Sequence, residues 1–154
     1  MDDDIDRLIV SKLAADGRAS LADISRETGL STSALHQRVK RLESRGTILG
    51  YHARLNREDL GLPLTAFVSL TPLNPAETDE IPERIADIAE IESCWSVAGS
   101  ESYILKVNVS TPGALEILLG KIRNIAHVST RTTVVLSTPF EDRAPAIAAQ
   151  SAAN

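Results

Sequence analysis

Residues 21–46 read LADISRETGLSTSALHQRVKRLESRG, and they divide into two short helical patterns around a sharp turn. Ser20 is a good N-cap with Asp23 three residues on, and Leu21 and Ile24 form a short apolar stripe that Gly29 closes. Ser31 caps the second pattern, in which Leu35, Val39 and Leu42 (i, i+4, i+7) make one narrow apolar face before Gly46 stops it. A short helix, a turn and a second helix with one buried and one presenting face define a helix-turn-helix. At about 100° per residue the face opposite Leu35 carries Ser33, Gln37, Lys40 and Ser44, flanked by Thr32, His36, Arg38 and Arg41.

That exposed face has the chemistry of a major-groove reader. Glutamine can make paired hydrogen bonds to adenine, and serine can donate or accept. Thr32, Ser33, His36 and Gln37 are therefore the candidate base readers, while Arg38, Lys40, Arg41 and Arg45 are candidate phosphate contacts that supply affinity rather than specificity. The competing reading is an ordinary solvated helix face.

Charge placement favours the first reading. The 154-residue chain has a formal net charge of −5, which taken whole argues against a nucleic-acid partner. Residues 31–57, however, hold six basic residues (Arg38, Lys40, Arg41, Arg45, Arg54 and Arg57) against Glu43 alone, a local balance of +5. Residues 58–154 hold six basic and thirteen acidic residues, so an acidic body carries a compact basic patch. Aromatic residues make up 3% of the chain, too few for the stacking platforms of single-strand or RNA binding. Cys94 is the only cysteine, which leaves no intramolecular disulfide and fits a reducing compartment. The acidic start and the lack of a long apolar run predict a cytoplasmic protein.

Working outward, Ile5, Leu8, Ile9 and Leu13 fall at helical spacing before Asp16-Gly17, which predicts a first helix from about residue 3 to residue 15. Thr47 to Asn56 mixes β-branched, aromatic and basic residues and predicts a strand or wing. Beyond Asp59–Pro63 the period changes to alternation. Strands are expected at 64–71, 91–98, 102–110 and 128–137, with helices at about 79–90 and 112–125. Pro82 is compatible with the first of these helices only inside its opening turn, and Thr111-Pro112 is a strong start for the second. The βαββαβ order points to a ferredoxin-like sandwich, with both helices on one sheet face and the other face in need of a partner. The fold class is thus α+β, a winged helix-turn-helix (1–58), a linker (59–64), a βαββαβ domain (65–140) and a C-terminal tail (141–154) forming a short helix or a mobile end.

The chain resembles the Lrp/AsnC family, the leucine-responsive or feast/famine regulators. The resemblance rests on Asp6-Arg7 with the apolar stripe after it, Leu13 through Asp16-Gly17-Arg18, Gly29-Leu30-Ser31, Arg38-Val39-Lys40-Arg41-Leu42-Glu43, and Gly46-Thr47-Ile48-Leu49-Gly50-Tyr51. It implies a sequence-specific regulator of amino-acid metabolism genes on double-stranded promoter DNA, responding to an amino acid bound between dimers. It also implies a homodimer formed through the open sheet faces and assembly toward an octamer. Dimer, tetramer and octamer all remain open at this point. The effector loop of the resemblance falls at Gly99, Ser100, Glu101, Ser102 and Tyr103, with Thr130 and Thr132 as further candidates on the last strand. Many relatives carry aspartates where Ser100 and Ser102 stand here, so only Glu101 supplies charge. A glutamate one position over could take an effector's ammonium group, the loop could suit another ligand, or it could simply turn the chain.

No cofactor, metal site or catalytic residue is expected. His36, His52 and His127 lie on separate elements, and no serine, cysteine or lysine sits in a nucleophile context. An enzyme and a stand-alone interaction module are the rival readings; the basic patch counts against the second.

Overall fold

The computed structural model describes residues 4–145. Within that range, residues up to Arg54 together with 139–145 form one compact unit, and Leu55–Thr138 form the other.

The first unit is built on three helices: α1 (Asp4–Ala15), α2 (Leu21–Thr28) and α3 (Thr32–Ser44). Their boundaries follow from cap chemistry. Ser20 Oγ accepts from the amides of Ala22 (3.1 Å) and Asp23 (3.3 Å), and Ser31 Oγ accepts from Ala34 (3.2 Å). Gly29 takes the left-handed conformation that closes α2, at φ 69°, where a side chain would be strained. Ile9, Ile24, Leu35, Val39 and Leu42 form the buried core, with Leu13, Leu21 and Ile48 packed at its edge.

The strand or wing expected over Thr47–Asn56 does not form. A strand needs a neighbour to take its amides and carbonyls, and no such pairing exists along this segment among the described residues. The Thr47 and Ile48 amides instead fold back onto the Leu42 carbonyl, and Tyr51 Oη donates to Glu43 Oε1 at 3.0 Å. Leu49 is left 94% exposed. Of the expected tail, residues 141–145 have no regular structure, and the remainder lies outside the described residues. Arg54 pairs with Asp142 at 3.6 Å.

The second unit is a four-stranded antiparallel sheet of β1 (Leu64–Pro72), β2 (Ile91–Ser96), β3 (Tyr103–Val109) and β4 (Val128–Val134), in the order β2-β3-β1-β4. Two helices, α4 (Ile81–Ile85) and α5 (Pro112–Ala126), complete the βαββαβ pattern. Helix α4 is much shorter than the expected 79–90. A 3-10 turn at Pro75–Glu80 precedes it, Pro82 sits in its first turn, and tight turns beyond Ile85 still deliver Ile88 to the core. Across the sheet, Leu64, Ala66, Val68 and Leu70 pair in register with Val109, Val107, Leu105 and Tyr103, and these side chains share a core with Ile81, Ile85, Leu118 and Ile122. The alternate positions, Thr65, Phe67 and Ser69 opposite Asn108, Lys106 and Ile104, face away from the helices.

Leu35 lies wholly buried where α3 meets the core. Leu35→Ala is expected to lower unfolding stability by about 2–5 kcal/mol, read from urea denaturation. A loss below about 0.5 kcal/mol, the usual surface value, would contradict this packing.

Candidate nucleic-acid interface and effector loop

Burying the Leu35-Val39-Leu42 seam leaves the rest of α3 outward. Thr32, Ser33, His36, Gln37 and Lys40 are all exposed along it. Ser33 Oγ lies 3.1 Å from the capping Ser31 Oγ, and Ser44 Oγ donates to the Lys40 carbonyl at 2.7 Å. The base-reading candidates therefore share one solvent-facing surface at the N-terminal end of the helix.

The four basic candidates do not behave alike. Lys40 projects from the exposed face, but Arg38, Arg41 and Arg45, spaced three and four residues apart, line the flank that meets α1. There they converge on Asp6, whose side chain is 0% exposed. Arg38 Nη1 donates to Asp6 Oδ1 at 2.8 Å, and Arg41 Nη2 donates to Oδ2 at 3.1 Å and Oδ1 at 3.4 Å. Arg45 Nη2 stands 3.8 Å from Oδ2. One buried carboxylate thus meets three guanidiniums, so the flank retains a positive excess. Removing the Asp6 carboxylate would leave three cations side by side on this flank, whereas removing one arginine would leave Asp6 two partners. Sequence reading did not single out Asp6 as part of the interface. The available signal was position: Asp6 lies three residues before Ile9, on the apolar side of α1, where an acid needs a cationic partner.

In the second unit the loop between β2 and β3 is closed by the Val97 amide donating to the Ser102 carbonyl at 3.0 Å. The Ser102 amide donates to the Leu70 carbonyl at 2.9 Å. Gly99 and Ser100 are exposed, and Ser100 Oγ donates to Glu101 Oε2 at 2.7 Å. Glu101 pairs through Oε1 with Arg131 Nη2 of β4. The Ser100 hydroxyl, then the residue's own amide, and then the Arg131 charge and Ser69 hold the Glu101 carboxyl below the usual carboxylate range against a smaller burial effect.

The remaining effector candidates lie elsewhere. Tyr103 is a core residue. Thr130 and Thr132 stand opposite Leu70 and Val68, so they turn toward the helices, and Thr130 accepts from Arg123 Nη1 of α5 at 3.2 Å. Arg131, opposite Ser69, turns to the other face and meets Glu101. The structure thus separates Tyr103, Thr130 and Thr132 from the Glu101 carboxylate and adds Arg131, which sequence reading missed. Period-two alternation already sets Arg131 on the opposite face from Thr130 and Thr132; its partner depends on strand register, which a single sequence does not reveal.

The open sheet face also carries Phe67, 38% exposed, and Trp95, 46% exposed. Beside them Glu92 accepts from Arg57 Nη2 (2.7 Å) and Asn108 Nδ2 (2.6 Å) and pairs with Lys106 Nζ (3.2 Å). Burial works against ionisation of Glu92, but these donors prevail and lower its pKa. Among the described residues no cluster of histidine, cysteine and carboxylate side chains could hold a metal, and no helix is long and apolar enough to cross a membrane.

A helix-turn-helix with a polar reading face, joined to a βαββαβ domain, defines a ligand-responsive DNA-binding regulator. Family comparison supports each half: residues 3–43 match the AsnC-type helix-turn-helix domain, and residues 65–145 match the Lrp/AsnC ligand binding domain. The chain belongs to the Lrp/AsnC family of transcriptional regulators. It is 54% identical over 141 residues to the HTH-type transcriptional regulator LrpA of Mycobacterium tuberculosis, covering 92% of this chain and 94% of that protein. It is 38% identical to the leucine-responsive regulatory protein of Escherichia coli K12, over 87% of this chain and 84% of the relative. The crystal structure of M. tuberculosis LrpA superposes with a TM-score of 0.83 at 52% identity, covering 93% of this chain and 99% of that one. A feast or famine regulatory protein from M. tuberculosis complexed with L-methionine superposes at 0.89 and 53% identity, with the same coverage. These relatives are regulators rather than enzymes.

Ser100→Ala is expected to raise the Glu101 pKa toward its ordinary value, measured by carboxyl-carbon NMR titration. Because the folded-state pKa is depressed, the Glu101–Arg131 pair is intact above that pKa and is lost as pH falls through it. An unchanged titration would contradict the hydroxyl's role.

Proposed function

We propose that this regulator binds duplex DNA with α3 in the major groove. Thr32, Ser33, His36 and Gln37 meet base edges, while Lys40, Arg38, Arg41 and Arg45 meet phosphates. The observation that carries this reading is the exposed, small-polar N-terminal half of α3, set opposite a wholly apolar seam. Lys40 stands on the exposed face away from Asp6, whereas the three arginines approach phosphate from beside it.

The loop Gly99–Ser102, with Glu101 and Arg131, is the effector site in this reading, and its ligand is a free amino acid. A carboxylate beside a guanidinium complements a zwitterion, since Glu101 can take the ammonium group and Arg131 the carboxylate. The L-methionine complex of the M. tuberculosis relative supports this class. The Phe67 and Trp95 face is the homodimer surface, higher assembly reaches an octamer, and the protein acts in the cytoplasm on genes of amino-acid metabolism.

Electrophoretic mobility shift on DNA upstream of the protein's own gene, with and without a panel of amino acids, tests the reading. Lys40→Ala should weaken binding to all sequences and reduce the logarithmic salt slope by about 0.9. Gln37→Ala should cost about 1–3 kcal/mol of discrimination at one base pair. Absence of a shift at low salt, or equal loss on all sequences for Gln37→Ala, would reject the assigned roles. L-Methionine should bind in titration calorimetry and lose at least about tenfold affinity in Arg131→Ala. Binding unaffected by Arg131→Ala would remove the loop from the effector site.

A further inference from the structure

Beyond the reading face itself, we propose that Asp6 is a positioning residue for sequence discrimination. It holds the Arg38 and Arg41 guanidiniums in one orientation, so that their phosphate contacts fix the register of α3 in the groove. The inference rests on α3 being the DNA-reading helix.

Three observations carry it. Asp6 is fully buried, yet both its oxygens are spent on α3: Oδ1 on Arg38 and Arg41, Oδ2 on Arg41 and, at 3.8 Å, Arg45. The arginines lie one helical turn or two apart on a single flank, and this acid draws together side chains that repel one another. Solvent reaches all three, since the side chains of Arg38, Arg41 and Arg45 remain 25%, 49% and 37% exposed. A guanidinium has five donors in a rigid fork, so one edge can bind the carboxylate while another faces a phosphate oxygen.

Phosphate contacts set where a reading helix sits, while base contacts report what it finds there. A guanidinium anchored from behind reaches phosphate only where the helix is in register. An unanchored one follows the phosphate wherever the protein lands. Asp6 also cancels one positive charge at the interface, which lowers the register-independent attraction. Both effects widen the gap between right and wrong sequences, and both act through the arginines rather than through any contact of Asp6 with DNA.

The test compares two probes: a duplex enriched by the wild-type protein from a random-sequence pool, and poly(dI-dC) duplex. Affinity for each is measured against salt, with circular dichroism to verify folding. In Asp6→Asn, affinity for the enriched duplex is expected to fall while affinity for poly(dI-dC) rises, reducing their ratio by about tenfold or more. The salt slope on poly(dI-dC) should steepen by about 0.9, as one more cation becomes available to phosphate. Asp6→Glu, which restores the charge, should recover part of the ratio. A purely structural role would lower both affinities together, and that outcome, or an unchanged ratio, overturns the proposal. Should Asp6→Asn fail to fold, Arg38→Lys decides: it keeps the charge but loses the fork, and the ratio must still fall. Equal loss on both probes would overturn the proposal. Failure of the wild type to enrich any sequence would instead overturn the DNA-binding reading beneath it.

Discussion

A thirteen-residue helix serving a core this small can give up only a narrow seam, and that constraint governs the first unit. Leu35, Val39 and Leu42 lock α3 against Ile9 and Ile24, which leaves the remaining arc of the helix for solvent or a ligand. Rotating α3 by even one position would bury a polar residue without a partner, so the packing that stabilises the unit also fixes which face of α3 is presented to solvent. The same seam explains why Asp6 needs company. An acid on the inward side of α1 lies against the flank of α3, where Arg38, Arg41 and Arg45 recur at helical spacing. Stability and charge placement therefore meet at one point of contact between the two helices.

The second unit obeys the analogous rule for a sheet. One face is covered by α4 and α5 and is apolar except at its β4 edge, where Thr130 and Thr132 stand; the other mixes aromatic side chains with the Glu92, Lys106 and Asn108 network. Lys106 and Asn108 are buried even so, because Glu92 is held over them with the help of Arg57. Such a face is neither a plain solvated surface nor a plain core. It has apolar area to contribute to an interface and polar partners already satisfied internally, which lowers the desolvation cost of covering it.

Most of the fold was legible because caps and periodicity agree. Ser20, Ser31 and Thr111 begin helices where their side chains predict, and alternation locates β1, β3 and β4. Two elements were not legible. Residues 47–56 have strand composition but lack a neighbour to pair with, and composition cannot supply one. Helix α4 ends early because Ile88 reaches the core through tight turns, which leave the same apolar spacing as a longer helix. The exposed polar face of α3 followed from helical spacing alone, since one face of a helix is a local property. The anchoring of its arginines did not, because Arg38 and Asp6 lie 32 residues apart and meet only once α1 and α3 pack. The loop between β2 and β3 shows the same limit: Glu101 stood out as the single charge, but its partner Arg131 depends on strand register.

Dimethyl sulfate protection on a duplex selected from random sequence bears most directly on the central claim, because the reagent reports guanine N7 in the major groove and adenine N3 in the minor groove together. Insertion of α3 from both members of a dimer predicts guanine protection in two half-sites centred about 10 to 10.5 base pairs apart, or a multiple of that spacing, with the adenines between them still reactive. Protection confined to adenine N3, or guanine protection without that spacing, would contradict it.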